Sequence, residues 1–313
     1  MQVRALGTAA GGGFPQWNCA CGNCSALRAG SFAGKARSQA QLAVSSDGTT
    51  WFLLGASPDL RAQIEATPSL HPRSGLRQSP VAGVVLANAD VDHVLGLLLL
   101  REWQPLRVYA TDAVTRILRE DNSMFGMLNR AAEQVSWTEL EPGPAVNLKD
   151  AHGFDSRLRC EAISLGSKFP AYVRPERHAV LAGREVLLGL IIGSSAGSSG
   201  GKTLGYFPSV PALDNDLLAR LEGLDLLFFD GTFWSDDELI RVQGSGQTAR
   251  QMGHLPVGSA GGSMERLAGL RRPRKMFVHI NNTNPMLNES SEEYRQVRAA
   301  GWELAEDGWQ CQL

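Results

Sequence analysis

Four side chains that could bind a metal or move a proton follow a buried apolar run. Asn88, Asp90, Asp92 and His93 come directly after residues 84–87, a run typical of a strand buried on both faces. Two carboxylates and an imidazole so close together suit a divalent metal, whose charge offsets the repulsion between the carboxylates. These residues alone leave an alternative open, a plain turn in which an Asp caps the next helix and the His is solvated.

Three clustered cysteines, Cys19, Cys21 and Cys24, have the spacing of a zinc site. A C-x-C-x-x-C stretch places three thiolates within reach of one tetrahedral Zn²⁺. The chain has 5 cysteines, and an odd total with a tight cluster favours metal over disulfides. We therefore predict a structural Zn²⁺ in a Cys-rich loop near residues 17–25. Its fourth ligand is Cys311 or a residue of the 279–282 turn.

Two further apolar runs lead into side chains that bind metals. Residues 224–229 precede Asp230, and residues 276–278 precede His279, while His254 stands just ahead of a predicted helix. Because three separate buried strands end in such side chains, we expect their ends to meet at one site, as in other open α/β sheets. A turn-forming Asp-Gly pair is the simpler alternative for Asp230.

The hydrophobic pattern indicates the elements that would position these side chains. Short apolar runs bounded by turn residues predict strands, and the leucine-rich segment after His93 predicts a buried helix. No evident linker divides the chain, so we predict one α/β (α+β) domain, 1–313. A Gly/Ser-rich segment, 194–202, predicts a hairpin tip. Segment 167–175, with prolines and aromatics, either covers the site or is a plain connector.

Composition excludes several classes of function. The chain has 313 residues and a formal net charge of −2, which gives no electrostatic footprint for nucleic acid or an anionic membrane. No apolar run approaches the roughly 20 residues that span a bilayer. The N-terminus lacks the apolar core and cleavage site of a signal peptide, so we expect a cytoplasmic protein.

Together these motifs resemble the pyrroloquinoline quinone (PQQ) biosynthesis protein B family of the metallo-β-lactamase superfamily. The resemblance implies an αββα sandwich with the active site along one edge, and a role in building the quinone cofactor from a peptide-derived glutamate and tyrosine. It runs nearly end to end and rests on Phe14-Pro15-Gln16-Trp17-Asn18-Cys19, Ala56-Ser57-Pro58-Asp59, Asp92-His93-x-x-Gly96-Leu97, Phe229-Asp230-Gly231-Thr232, Met252-Gly253-His254-Leu255-Pro256 and His279-Ile280-Asn281-Asn282-Thr283-Asn284-Pro285.

One departure from the superfamily changes the expected metal content. The two-metal motif H-x-H-x-D-H reads Asn88-x-Asp90-x-Asp92-His93 here, so oxygen donors replace the two imidazoles of the first metal. The resemblance implies that the ligands of the second metal are retained as Asp92, His93, Asp230 and His279. We therefore expect one active-site divalent metal, with Asp90 beside its ligands or as a weak ligand.

The resemblance also implies a reaction, the iron- and O₂-dependent hydroxylation of a tyrosine-derived ring. Fe²⁺ would bind His93, His279 and a carboxylate from Asp92 or Asp230, similar to the facial arrangement of non-haem Fe(II) oxygenases. His254 would act as general acid/base or orient the substrate, completing a catalytic set with Asp90, Asp92 and His93. The expected partners are a small or peptide-derived Glu-Tyr intermediate and other PQQ pathway proteins, with no nucleic acid and no membrane.

Two rival functions remain open at this point. A hydrolase would use one Zn²⁺ or Mn²⁺ to generate hydroxide from bound water, although the lost first-metal imidazoles disfavour this function. A carrier would bind the finished quinone without catalysis, although the retained ligand types and His254 argue against a pure carrier.

Overall fold

The protein was analysed as a computed structural model that describes residues 1–130, 134–194 and 201–313. Within these ranges the strands, in chain order, are β1 (Gln2–Gly7), β2 (Gln41–Ser45), β3 (Trp51–Leu54), β4 (Val81–Val85), β5 (Leu106–Ala110), β6 (Val135–Glu139), β7 (Val146–Lys149), β8 (Asp155–Gly166), β9 (Leu187–Ser194), β10 (Thr203–Phe207), β11 (Leu226–Asp230), β12 (Arg274–Val278), β13 (Trp302–Leu304) and β14 (Gln310–Gln312).

The α-helices of the same ranges are short. They are α1 (Gly22–Arg28), α2 (Leu60–Glu65), α3 (Val91–Val94), α4 (Asp112–Arg119), α5 (Pro175–Val180), α6 (Asn215–Glu222), α7 (Glu238–Gln243), α8 (Ser263–Arg266) and α9 (Glu292–Ala299), and 3₁₀ segments occur at Pro68–Leu70, Leu95–Leu100, Ser123–Asn129 and Pro285–Leu287. Among the described residues, none of the helices has both the length and the apolar character needed to cross a bilayer.

The chain divides into two compact units. The first comprises Met1–Gly7, Gln41–Thr203 and Gly308–Leu313, and the second comprises Thr8–Ala40 and Leu204–Asp307. Each unit is assembled from separated stretches of chain. The single domain that we predict from the sequence stays a prediction.

The first unit is built on a seven-stranded sheet of order β14-β1-β2-β3-β4-β5-β6. Strands β3 to β6 are parallel, while β7, β8 and β9 of the same unit pair antiparallel. Every side chain of β3 is buried, as expected of an unbroken apolar strand. Since parallel strands end at one edge of a sheet, the 88–93 turn that follows β4 lies at the edge where β3 and β5 also end.

The second unit contains four parallel strands, β10 to β13. All five residues of β11 are buried, including the carboxylate-bearing Asp230 at its end. Asp230 is opposite Val278 in the register of β11 and β12, so the next residue, His279, follows the strand end beside it. Phe277 stacks on Trp302 with ring centroids 4.1 Å apart, which holds the C-terminal end of β12 in the core.

The leucine-rich segment after His93 differs from the predicted buried helix. Residues Leu95–Leu100 form a 3₁₀ segment, and Leu95 and Leu99 are 38% and 40% exposed. Gly96 explains the difference, because its backbone N–H donates to Ala56 O at 2.8 Å and a Cβ there would meet Ser57 O at 2.3 Å. This close approach of Gly96 to the 56–57 backbone favours the tighter 3₁₀ conformation over an α-helix. Most of the hairpin tip predicted for 194–202 lies outside the described residues.

Replacing Gly231 should test how tightly the Asp230 strand end is packed. In Gly231→Ala the new Cβ would lie 2.8 Å from Phe277 Cβ and 2.9 Å from Met286 Cε, so we expect the free energy of unfolding to fall by about 1–3 kcal/mol. Gly269→Ala is the matched control, because Gly269 has no heavy atom within 4 Å of the added Cβ. Equal stabilities of the two variants in chemical denaturation would contradict the close packing.

Candidate metal centre

The second unit brings together three metal-binding side chains, Asp230, His254 and His279. One ligand atom from each lies within 4.8 Å of the others. Asp230 ends β11, and His279 follows β12. His254 lies in the loop between α7 and α8, where its backbone N–H donates to Ala249 O at 2.9 Å. The parallel pairing of β11 and β12 therefore produces the juxtaposition that the sequence predicts for Asp230 and His279.

Asp230 is a fully buried carboxylate with several donors. Oδ2 accepts from Val210 N at 2.9 Å and lies 2.8 Å from His254 Nδ1. Oδ1 accepts from Thr232 N at 3.0 Å and from Thr232 Oγ1 at 2.7 Å. Burial by itself raises the pKa of Asp230, but the charge and hydrogen bond of His254, the charge of His279 and the Thr232 hydroxyl lower the pKa below its usual value. Asp230 is therefore an anion in the folded chain.

Thr232 connects the three ligand candidates, and sequence reasoning assigned it no role. Its Oγ1 lies 2.8 Å from His279 Nδ1, 3.1 Å from His254 Nδ1 and 2.7 Å from Asp230 Oδ1. A hydroxyl has one hydrogen and two lone pairs, so Thr232 can accept from an imidazole while it donates to an oxygen. The only sequence signal for this connecting role is that Thr232 follows Asp230 by two residues.

These contacts fix which imidazole nitrogens could bind a metal. Since Asp230 is anionic, His254 Nδ1 carries the hydrogen that Asp230 Oδ2 accepts. His279 Nδ1 likewise faces a hydrogen-bond partner, the Thr232 hydroxyl, at 2.8 Å. Nε2 is then the metal-binding or proton-carrying nitrogen of both rings, which stack with centroids 5.5 Å apart. Two oriented imidazoles and a carboxylate are donors that fit a divalent transition metal.

The first unit holds the turn with Asn88, Asp90, Asp92 and His93. The His93 side chain is 2% exposed, so the alternative of a solvated His is wrong. Asn88 Oδ1 accepts from Asp90 N at 3.0 Å, and His93 Nε2 lies 3.9 Å from Asp92 Oδ2. The place of Asp90, Asp92 and His93 in a ligand or catalytic set stays a prediction from the family motif.

Segment 167–175 reaches this turn. The Tyr172 hydroxyl donates to Ala89 O, and burial raises the pKa of Tyr172 well above its usual range, so the hydroxyl keeps its hydrogen. The segment thus contacts the backbone beside Asp90, and its role as a cover of the site stays a prediction.

The predicted zinc ligands Cys19, Cys21 and Cys24 lie together in the second unit, with their Sγ atoms within 4.8 Å of one another. Burial raises the pKa of Cys21 to about 11. Burial also acts to raise the pKa of Cys19, but hydrogen bonds from Cys21, Cys24 and Asn282 lower it below its usual value. Three converging sulfurs of this kind fit a thiolate-bound tetrahedral Zn²⁺. Cys311, one candidate for the fourth ligand, lies on β14 opposite Val3.

Glu238 is a second buried carboxyl that sequence reasoning missed. Its Oε1 accepts from Thr283 Oγ1 at 2.5 Å and its Oε2 accepts from Trp234 N at 2.6 Å. Burial raises the pKa of Glu238 to about 7, despite these donors. Glu238 therefore supports the turn after His279 as a largely neutral group at moderately acidic pH.

Comparison with known proteins connects this geometry to a family. The profile described as Beta-lactamase superfamily domain matches residues 50–280. The chain is 44% identical over 308 residues to Coenzyme PQQ synthesis protein B of Methylobacterium sp. (strain 4-46), covering 98% of each protein. It is 42% identical over 313 residues to the protein of the same name from Gluconobacter oxydans (strain 621H), covering 100% of this chain and 99% of the relative.

The chain belongs to the coenzyme PQQ synthesis protein B family. It also matches the crystal structure of Zn²⁺-bound PqqB from Methylobacterium extorquens with a TM-score of 0.88 and 41% identity, over 100% of both chains. The metallo-β-lactamase fold predicted from the sequence, with two mixed sheets and helices, is confirmed. Membership of the PqqB family assigns the chain a role in PQQ biosynthesis.

Removal of the Thr232 hydroxyl should weaken metal binding in this PqqB-family chain. Thr232→Val keeps the shape of the side chain but deletes the contacts to both imidazoles and Asp230. We expect the affinity for a divalent metal at the Asp230–His254–His279 cluster to fall roughly 10–100-fold, as is typical for loss of a group that orients ligands. Competition with a chelator measures it, with Thr49→Val at an exposed position as control. An unchanged affinity would show that Thr232 is not needed for ligand orientation.

Glu238 should make the stability depend on pH. Because folding raises its pKa from the ordinary 4.5 to about 7, the native state holds a proton that the unfolded chain releases between these values. Stability contributed by the neutral carboxyl is therefore lost as pH rises from about 4.5 to 7. Glu238→Gln stays neutral, so its stability relative to the native sequence should rise over this window by up to about 3 kcal/mol. Urea unfolding at several pH values, with exposed Glu176→Gln as control, measures this; a pH-independent difference contradicts it.

Proposed function

We propose that this chain hydroxylates a tyrosine-derived ring in the peptide-derived PQQ precursor, using one active-site Fe²⁺ and O₂. Two features support the proposal. The PqqB family acts in PQQ synthesis, and the first-metal imidazoles of the superfamily motif are replaced by Asn88 and Asp90. A site with a single metal and open coordination positions suits O₂ activation better than the two-metal activation of water.

The observation that carries the proposal is the cluster of Asp230, His254 and His279. His279 supplies an imidazole of the kind that binds Fe²⁺ in non-haem oxygenases, and Asp230 and His254 supply the orienting and proton-transfer groups beside it. Each Asp230 oxygen already accepts two hydrogen bonds, which fills the roughly four acceptor positions of a carboxylate. Asp230 would therefore ligate a metal only by giving up one of these bonds, and otherwise acts by orienting His254.

The protein residues have distinct tasks in this reaction. Asp230 and Thr232 hold the imidazoles of His254 and His279 in one tautomer and orientation. His279 Nε2 would serve as ligand, and His254 Nε2 would accept the phenolic proton of the ring or return it. Its side chain is 12% exposed, so it can reach a substrate while it is still held by Asp230.

The proposed reaction requires a reductant as well as O₂. One oxygen atom of O₂ enters the ring in place of hydrogen, and the other leaves as water with two protons and two electrons from an external two-electron reductant. Bound Fe²⁺ would supply the O₂ chemistry, for which amino-acid side chains have no equivalent. The side chains supply orientation and proton transfer.

A zinc-dependent hydrolase is the second candidate, and the match to the Beta-lactamase superfamily domain over residues 50–280 supports it. In this reaction Zn²⁺ would lower the pKa of bound water to about 7, and His254 would protonate the leaving group. The two candidates differ in metal, in O₂ requirement and in the source of the oxygen atom that enters the product.

Oxygen uptake under defined metal loading tests the proposal. Anaerobically prepared protein loaded with Fe²⁺ is mixed with ascorbate, ¹⁸O₂ and a Glu-Tyr dipeptide or a catechol analogue, beside a Zn²⁺-loaded sample. We expect iron-dependent uptake and one ¹⁸O atom in the ring product. His279→Ala and His93→Ala should lower the rate by roughly 100-fold or more, because loss of a ligand exceeds the usual effect of losing an orienting group.

The control and the contrary outcomes are distinct. His152→Ala replaces an exposed imidazole outside the cluster and should keep the full rate. Incorporation of oxygen from H₂¹⁸O by the Zn²⁺-loaded protein, without O₂ uptake by the Fe²⁺-loaded protein, would replace the oxygenase by the hydrolase. Tight binding of PQQ that persists in His279→Ala, without turnover by either form, would identify a carrier.

A further inference from the structure

We propose that a cleft of the first unit, between Asp121 and residues 172–177, binds an aromatic α-amino acid group, with its ring on Tyr172 and its carboxylate at Arg174. That this group is the tyrosine end of the substrate rests on the function proposed above, whereas the binding itself does not. The cleft is lined by Asp121, Tyr172, Val173, Arg174, Glu176 and Arg177.

The size of the cleft limits what it can hold. Its volume is about 270 Å³, just below the range of about 300–1,000 Å³ that is usual for pockets that bind small molecules. A single ring with its polar substituents fits this space, and a folded peptide does not.

The charges that line the cleft are balanced but not all paired. Arg177 is held by two carboxylates, with Nε 2.8 Å from Asp121 Oδ1 and Nη2 3.1 Å from Glu120 Oε2. Arg174 and Glu176 are exposed and form no ion pair within the described ranges. One unpaired guanidinium and one unpaired carboxylate match a zwitterion, whose own carboxylate can accept two parallel hydrogen bonds from the guanidinium.

Tyr172 provides an aromatic face beside these charges. Its side chain is 38% exposed, and its hydroxyl donates to Ala89 O, which restricts rotation of the phenol. The charges of Asp90 and Asp121 add to the burial that raises the pKa of Tyr172, so the phenol is close both to the 88–93 turn and to the cleft. A ligand ring can pack on it in the offset or edge-to-face geometry of aromatic pairs.

The backbone that carries Tyr172 and Arg174 is anchored between them. Val173 is 5% exposed and belongs to the hydrophobic core of the first unit. Its carbonyl oxygen lies 3.1 Å from His178 Nε2, and Phe169 stacks on the His178 ring with centroids 4.4 Å apart. Because the segment is already held in place, a ligand does not have to order it, which favours binding.

Three related probes test the proposal on the whole Zn²⁺-loaded protein. L-Tyrosine has a ring, a carboxylate and an ammonium group, tyramine lacks the carboxylate, and 3-(4-hydroxyphenyl)propanoate lacks the ammonium group. In isothermal titration calorimetry, L-tyrosine should bind roughly tenfold more tightly than tyramine, because it gains hydrogen bonds between charged groups. It should also bind more tightly than the propanoate, which offers nothing to Glu176.

Substitutions assign these preferences to side chains. In Arg174→Ala, L-tyrosine should lose its preference over tyramine, whereas Arg174→Lys should keep part of it because the charge remains without the planar fork. Tyr172→Ala should weaken the binding of all three probes to a similar extent, because the shared ring loses its packing surface. Arg159→Ala removes an exposed cation on β8 and is the matched control, with unchanged affinities.

Steady-state oxygen uptake by the Fe²⁺-loaded protein connects the cleft to the reaction. In Arg174→Ala, the KM for the Glu-Tyr dipeptide should rise roughly tenfold while kcat changes little, because Arg174 contacts a part of the substrate that does not react. An unchanged KM would overturn the assignment of the cleft to the substrate.

The calorimetry separates this proposal from the proposed reaction. A preference for L-tyrosine over tyramine that persists in Arg174→Ala, or no binding of any probe, would overturn the proposal. Failure of oxygen uptake by the native sequence would contradict the hydroxylation alone, because probe binding requires no turnover.

Discussion

The backbone conformation of His279 is the constraint on which the site depends. His279 has a φ of 59°, and a non-glycine residue in this left-handed region costs of the order of 1–3 kcal/mol. Contacts on both sides maintain the conformation. Thr232 Oγ1 lies 2.9 Å from His279 O, and the next residue, Ile280, donates its N–H to Thr8 O at 3.0 Å. The same hydroxyl lies 2.8 Å from His279 Nδ1, so Thr232 contacts both the strained backbone of His279 and its imidazole.

Two buried carboxyls of the second unit show how neighbours decide a charge state. Both Asp230 and Glu238 are almost fully buried, and burial alone disfavours ionisation. Asp230 has two imidazoles and several donors close by, so its pKa is lowered. Glu238 also has donors, but burial and the negative charge of Asp237 outweigh them, and its pKa rises to about 7. The unit thus holds an anion where imidazoles must be oriented and, at moderately acidic pH, a largely neutral carboxyl where it supports the turn.

Sequence patterns predict the strands of the site well because an unbroken apolar strand and its polar end are local features. They also indicate that Asp230 and His279 belong together, since parallel strands end at the same edge. The roles of Thr232, Glu238 and Asn282 could not be predicted. Each depends on a distance between residues remote in sequence, such as the approach of Asn282 to Cys19. The segment after His93 was predicted wrongly as an α-helix. The contact that makes it a 3₁₀ segment joins Gly96 to the backbone of Ala56, and hydrophobic periodicity does not reveal such a contact.

The two donor clusters of the second unit should select different metals, although one short turn contributes to both. Three thiolates favour Zn²⁺ over Fe²⁺, so we expect the cysteine cluster to retain its Zn²⁺. Imidazole and carboxylate donors accept both metals, and the usual affinity order puts Zn²⁺ above Fe²⁺. A Zn²⁺-bound form is therefore expected of such a donor set whichever metal acts in the reaction. The functional metal is decided by metal supply and by the reaction each metal supports, although His279 of one cluster and Asn282, which contacts the sulfurs of the other, are only three residues apart.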